Sequence, residues 1–323
     1  MGLNAVIVAV TKESPRILTL SGTPFDPKLQ DPLRSDGALD VLPYGPLDPE
    51  ADRTLELALR GWVQERTGLE LGYVEQLYTF GDRDRSGGGR DGTPRVISVA
   101  YLALVKEDRP EADTSAVWRD CYSYFPWEDW RDREPEIVSR VVEPALREWI
   151  RAAPDDATRE ERLERAGITF GLGGAGWDSD RVLDRYELLY ELGLVSESLR
   201  AAGGREAAGA GPEMLGRAMD MDHRRILATG LGRIRGKLRY RPVVFELLPG
   251  SFTLLRLQRV VEALSGLRLH KQNFRRLVER GGLVEGTGKF DARTGGRPAE
   301  LFRFRREVLR ERRAPGVRLP SMR

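Results

Sequence analysis

The chain alternates between two hydrophobic rhythms. Residues 5–10 (AVIVAV) and 17–20 (ILTL) are short runs rich in β-branched residues, separated by a polar turn with Pro15, and predict a hairpin. Pro, Asp and Gly crowd residues 22–49, which read as mostly loop. From 50 to 67 the apolar positions Leu55, Leu57, Leu59, Trp62 and Val63 lie among charges and the run stops at Gly68, which predicts a helix with a glycine stop. Two strand candidates follow at 73–80 and 96–105, joined by the Arg- and Gly-rich loop GDRDRSGGGRDGTPR. Ile137, Val141, Val142, Ala145, Leu146 and Ile150 then recur at helical spacing and predict a helix over 135–151. The order of elements is sheet, helix, sheet, helix.

After the break at APDD (153–156) the chain is helical and charged as far as GLGGAG. This stretch holds Gly171, Gly173 and Gly176 in the spacing of a dinucleotide fingerprint. Only Ile168-Thr169-Phe170 precedes it and no β-rich run follows, so it reads as a turn before a helix. AAGGREAAGAG (201–211) reads as a connection between helices.

Beyond residue 252 the pattern is helix, short turn, helix, hairpin. Leu254, Leu257, Val261 and Leu264 form one stripe, ended by Gly266; a second helix over about 269–280 buries Phe274, Leu277 and Val278. Its opposite face carries Gln272, Arg276 and Glu279, flanked by Asn273, Arg275 and Arg280. His270 and Lys271 lie nearer the packed edge. Gln and Asn can bond adenine bidentately and Arg guanine, so this is a reading face for a major groove. The alternating stretch after it, bending near Gly295-Gly296, predicts a two-stranded wing carrying Lys289, Arg293 and Arg297 toward phosphates or a minor groove.

Charge sharpens this division. The net charge of the whole chain is only +2, yet residues 222–323 carry 25 Lys and Arg against 9 Asp and Glu, leaving 27 against 41 for the first 221. A basic module joined to an acidic one fits nucleic-acid binding coupled to a regulatory part. No apolar run approaches the length of a membrane span and no signal peptide is visible. The single cysteine, Cys121, has no disulfide partner, which fits a cytoplasmic protein.

The runs DHRRILATGLGRIRGKLRY, VVFELLPGSFTLLRLQRVVEAL, NFRRLVERGGLVEGTG and GRPAELFRF resemble the winged helix-turn-helix half of Nudix-related transcriptional regulators of NAD metabolism. LYTFGDRDR followed by RVISVAYLALV resembles their Nudix half. The resemblance covers roughly 1–150 and 222–305; residues 152–221 are longer and more helical than the pattern, which points to a divergent branch linked to repression of NAD synthesis. It implies an α+β fold with a Nudix-like α/β/α sandwich over 1–151, a helical connector over 152–221, a winged helix-turn-helix over 222–305 and a basic tail over 306–323. It implies further a homodimeric repressor on double-stranded operator DNA, with an adenine nucleotide (NAD, ATP or ADP-ribose) as effector and no required cofactor.

The stretch RGWVQERTGL tests whether such a protein is also an enzyme. Nudix hydrolases hold divalent metal with a carboxylate-rich helix. With Thr67-Gly68-Leu69 as the end of that box, its carboxylate pair falls on Glu65 and Arg66, the preceding glutamate on Trp62 and its arginine on Gly61. Glu50, Glu56 and Glu65 are too far apart around a helix to form one metal site and are expected to face solvent. The expectation is a degenerate box that binds a nucleotide without cutting it; the alternative is an active nucleoside diphosphate hydrolase. By resemblance, Tyr44, Phe80, Arg83, Arg85 and Arg95 are the candidates for holding the nucleotide. The aromatics Trp118, Tyr122, Phe125, Trp127 and Trp130 are read as core packing rather than pocket lining.

Overall fold

The computed structural model describes residues 1–21, 39–81, 97–106, 116–201, 215–292, 298–311 and Gly316. The opening hairpin is present as β1 (Gly2–Thr11) and β2 (Ser14–Ser21). Its two turn residues, Lys12 and Glu13, both have positive φ, 50° and 63°. That geometry matches the twist of a two-residue hairpin but is uncommon for non-glycine residues. Contacts from elsewhere hold it: Arg131 donates to the Glu13 carbonyl, and Arg259 lies 3.4 Å from the Glu13 carboxylate.

β3 (Asp40–Val41), β4 (Tyr44–Pro46), the helix α1 (Leu55–Thr67), β5 (Tyr73–Phe80), β6 (Ser98–Leu104) and β7 (Ala116–Asp120) complete a seven-stranded mixed sheet. Its path runs β3-β2-β1-β6-β5, with β4 on β1 and β7 on β2. β1 and β6 are parallel, Gly2 opposite Ser98 through Val8 opposite Leu104, while the other pairings are antiparallel. Alternation sends Leu3, Ala5 and Ile7 to one face, where they meet Ala58, Leu59 and Val63 of α1. Thr54 caps that helix by accepting from Leu57 N at 3.2 Å, and Gly68 ends it with φ 69°. The helix thus begins five residues later than the 50–67 expected from spacing, because the 47–54 segment bends instead around Asp48, whose carboxylate accepts from Glu50 N and Ala51 N.

Val6, Val8, Ala100, Leu102 and Leu104 face the other way, into the larger core. The expected helix over 135–151 is broken in character. Val138–Val142 forms a π-turn ahead of α2 (Glu143–Arg151). Pro144, without an N–H, cannot complete an α-type bond there, which suits the wider turn. α3 (Asp156–Phe170), α4 (Val182–Glu191) and α5 (Ser196–Ala201) follow. The glycine stretch between α3 and α4 is a turn, with Gly171, Gly173, Gly174 and Gly176 all at positive φ; no strand adjoins it, and the dinucleotide fingerprint is spacing alone.

The helix α6 (His223–Tyr240) lies on the larger-core face. Ile226, Leu227, Leu231 and Ile234 enter that core, and a Cβ on Gly230 would meet the Val6 side chain at 2.9 Å. α6 packs on α4, β1, β5 and β6 as well as on α7 (Leu254–Ser265). The boundary expected at residue 222 therefore falls ahead of a helix that serves both halves, because its glycine-relieved apolar stripe fits the sheet. α8 (Lys271–Arg280) and the hairpin β8 (Val284–Asp291) with β9 (Ala299–Phe304) follow in the expected order, and a short helix α9 (Val308–Glu311), with Val308 buried, stands at the start of the stretch expected as a basic tail. Among the described residues no helix is long and apolar enough to cross a membrane.

Candidate nucleic-acid interface

α7 begins at Thr253, whose hydroxyl accepts from Arg256 N at 3.2 Å, and ends at Gly266 with φ 71°. Four residues, 267–270, turn the chain into α8. Two polar side chains buried in α7 shape that turn: Glu262 accepts from Leu269 N at 2.9 Å, and Gln258 donates to Leu269 O and to Glu262, each at 2.9 Å. Their i, i+4 spacing inside an apolar stripe is a signal that the reading of the stripe alone passes over.

α8 buries Phe274 and Val278 and leaves Lys271, Gln272, Asn273, Arg275 and Arg276 exposed. His270 and Lys271 are exposed too, so they sit on the outer rim of the helix start and not at a packed edge. Arg276 reaches Asn273 Oδ1 at 3.4 Å, which aligns two members of the polar face. Among the described residues, none of the cations of α8 forms an ion pair.

The wing is a twisted hairpin anchored at its base. Phe252 and Phe302 exchange backbone hydrogen bonds of 2.9 and 2.8 Å, and Phe245 stacks on Phe304 with centroids 4.3 Å apart. Between wing and body lies a cleft of about 600 Å³, lined by Pro249, Gly250, Ser251, Thr287, Lys289 and Arg303. Lys289 is exposed on β8; Arg293 and Arg297 lie outside the described residues. Arg303, which composition alone did not single out, is exposed and pairs with Glu285 at 2.6 Å.

A buried polar cluster fastens this module to the sheet. Glu128, Arg185 and Arg235 are each fully inaccessible. Arg185 binds the Glu128 carboxylate at 2.6 and 3.0 Å, and Arg235 donates to the same carboxylate, to Glu128 O at 3.1 Å and to Leu264 O at 3.1 Å. Burial pushes the Glu128 carboxyl up, but the two guanidinia outweigh it and hold the group below its ordinary value. Tyr122 OH donates to Ala263 O at 2.7 Å and Trp130 N to Gly266 O at 2.7 Å. A Cβ on Gly266 would strike Glu128 O at 2.3 Å, so glycine is required there both by φ and by close approach. Tyr122, Phe125 and Trp127 are buried here and Trp130 stacks on Trp177 at 4.4 Å, so these aromatics pack as expected. Cys121 is buried beside them, its thiol pushed up to about 12 by burial.

The helix α1 presents Glu56 and Glu65 to solvent, Glu56 paired with Arg60 at 2.9 Å. Trp62 is packed against the strand β4: a Cβ on Gly45 would meet its ring at 3.2 Å. Tyr44 and Phe80 come to the same end of the sheet, separated by β1 and β6. Both are half-buried; Tyr44 meets the His223 ring edge-on at 5.4 Å. His223 is buried beside Tyr44, its Nδ1 accepting from Leu42 N at 3.0 Å and its Nε2 3.0 Å from the Asn4 amide. Arg83, Arg85 and Arg95 lie outside the described residues.

A mixed α/β sandwich is joined through α6 to a module of helix, turn, helix and two-stranded wing. Within it, residues 244–304 match the family described as the NrtR DNA-binding winged helix domain. Shewanella oneidensis NrtR, solved in complex with a 27mer DNA, superposes over 95% of this chain and 94% of its own, with TM-score 0.55 and 18% identity. A MutT/nudix family protein from Enterococcus faecalis shares the fold over 94% of this chain and 87% of its own, with TM-score 0.51 and 16% identity. The ADPR responsive transcriptional repressor NtrR of Acinetobacter baylyi is 39% identical over 83 residues, which are 26% of this chain and 33% of that protein. The match thus spans about a third of that curated relative.

Proposed function

We propose that the protein is a cytoplasmic, homodimeric repressor of NAD-metabolism genes that binds operator DNA through α8 and the wing, and an adenine nucleotide through a Nudix-like domain that no longer hydrolyses it. The observation that carries the reading is the exposed face of α8, where Gln272, Asn273, Arg275 and Arg276 stand together on a helix-turn-helix whose turn is held rigid from beneath. Lys271 flanks them, and Lys289 with Arg293 and Arg297 supplies the wing contacts. Two such faces are needed because one recognition helix reads only a half-site. ADP-ribose is the first effector to test, ahead of NAD and ATP, since the Acinetobacter relative is described as ADPR responsive. Tyr44, Phe80, Arg83, Arg85 and Arg95 are the residues proposed to hold it. Trp62 and Arg66 at carboxylate positions support binding without turnover, because a dication has too few oxygens there.

Gel shifts on DNA upstream of NAD-synthesis genes, with and without each nucleotide, test the reading. Sequence-preferring duplex binding that a nucleotide alters is expected; the effector must bind the DNA-competent and incompetent arrangements with different affinity. Magnesium- or manganese-dependent release of mononucleotide from ADP-ribose or NAD, lost in Glu65→Gln, would overturn the non-enzymatic part.

A further inference from the structure

Phe290 is 63% exposed, more than any other large apolar side chain among the described residues. Isolated apolar exposure is ordinary on protein surfaces; the setting of this ring is not. Val284, Gly286 and Phe290 of β8 stand opposite Phe304, Phe302 and Glu300 of β9, so they share one face of the wing. Near the body that face is an apolar row, with Phe302 and Phe304 packed on the core. Three residues separate Gly286 from Phe290 on β8 where one separates Phe302 from Glu300 on β9. Gly288, with φ 69°, absorbs this two-residue bulge. Because the surplus is even, Phe290 stays on the inner face, and among the described residues it joins neither hydrophobic cluster of the body. The neighbouring charges are Lys289 and Asp291 on either side of it in β8 and Glu300 across the strand; Arg303, exposed nearer the body, is paired to Glu285.

We propose that Phe290 is an apolar wedge of the wing, seated in the minor groove of duplex DNA against a base step while Lys289 lies on the adjoining phosphate. The occupant is DNA because the overhanging ring belongs to a module with a large cationic excess, and apolar side chains at cationic tips enter minor grooves by partly unstacking a step. Glu300 beside the ring disfavours a phosphate at that spot and leaves the face of a partly unstacked base as the surface the ring would meet. The inference rests on the DNA-binding reading above and adds to it a contact that bends the duplex.

The test uses the full chain and a duplex selected by it from a random-sequence pool, with the two ends labelled for energy transfer. Phe290→Ala is expected to weaken binding about tenfold or more, with no change in the salt slope, and to reduce the bend. Phe290→Leu should keep most of both, and Lys289→Ala should lower the salt slope by about 1 with the bend retained. Thermal midpoints of the variants should match the parent, since the ring touches no core. A Phe290→Ala protein that binds and bends the duplex as the parent does overturns the wedge and leaves the DNA-binding reading standing. A parent chain that selects no duplex overturns both.

Discussion

Two cationic helices, α6 and α8, do opposite things with the same residues. On α6 every cation has a carboxylate partner from the first 221 residues: Arg224 with Glu197, Arg225 with Glu187, Arg233 and Lys237 with Glu75, Arg235 with Glu128, and Arg239 with Asp178 and Asp180. On α8, Lys271, Arg275, Arg276 and Arg280 are all exposed. The charge asymmetry of the sequence is therefore two quantities added together. One part joins the halves of the molecule to each other, and only the remainder is available to a polyanion.

The sharpest way to break this comparison is to empty the buried cluster. Glu128→Ala leaves two guanidinia buried without their partner and is expected to cost about 3–5 kcal/mol, read as a shift of the urea midpoint. A loss below about 1 kcal/mol would mean that the cluster is only space-filling. The same variant has a pH signature. Because the folded Glu128 titrates below its ordinary value of 4.5, its contribution is complete above that value and is lost as pH falls through the depressed one. The parent should thus lose stability more steeply than Glu128→Ala on the acid side, and be parallel to it above about pH 5.

Gly266→Ala comes next, at roughly 2–4 kcal/mol, since it combines a left-handed backbone with a Cβ driven into the Glu128 carbonyl. Arg276→Ala should do the reverse: folding within about 0.5 kcal/mol of the parent, but DNA binding weaker by about 1–3 kcal/mol and relaxed at one base position. Unchanged operator affinity would show that the reading face lies elsewhere. The smallest effect is expected from Arg239→Ala, an ion pair 45% exposed on its arginine side, worth less than about 1 kcal/mol in calorimetry and nothing in a gel shift.

These contrasts also mark what a sequence can display. Periodicity located β1, β2, β5, β6 and the helix pair of the C-terminal module, because one buried face per element leaves a regular imprint. The exposed polar face of α8 was legible because its apolar residues occupy one stripe and leave the polar ones no role in the core. The buried cluster was invisible: Glu128, Arg185 and Arg235 are 107 residues apart at the extremes and look like surface charges until the fold collects them. Likewise nothing in the pattern told that the stripe of α6 would lie on the sheet, since Ile226 and Leu231 fit any apolar partner. The expectation that Trp62 and Arg66 take carboxylate positions came from spacing alone, whereas the contact that fixes Trp62 against Gly45 belongs to tertiary packing.

The end of α7 carries a consequence for how the chain assembles. Its last carbonyls, on Ala263, Leu264 and Gly266, are taken by Tyr122, Arg235 and Trp130, groups that lie earlier in the chain. During synthesis those donors emerge first, so the sheet and α6 can form a waiting socket before the helix-turn-helix leaves the ribosome. A C-terminal piece starting at α7 would fold with its first helix end open to water. The helix-turn-helix module is in this sense completed by its own amino-terminal neighbour, and its birth order is part of its stability.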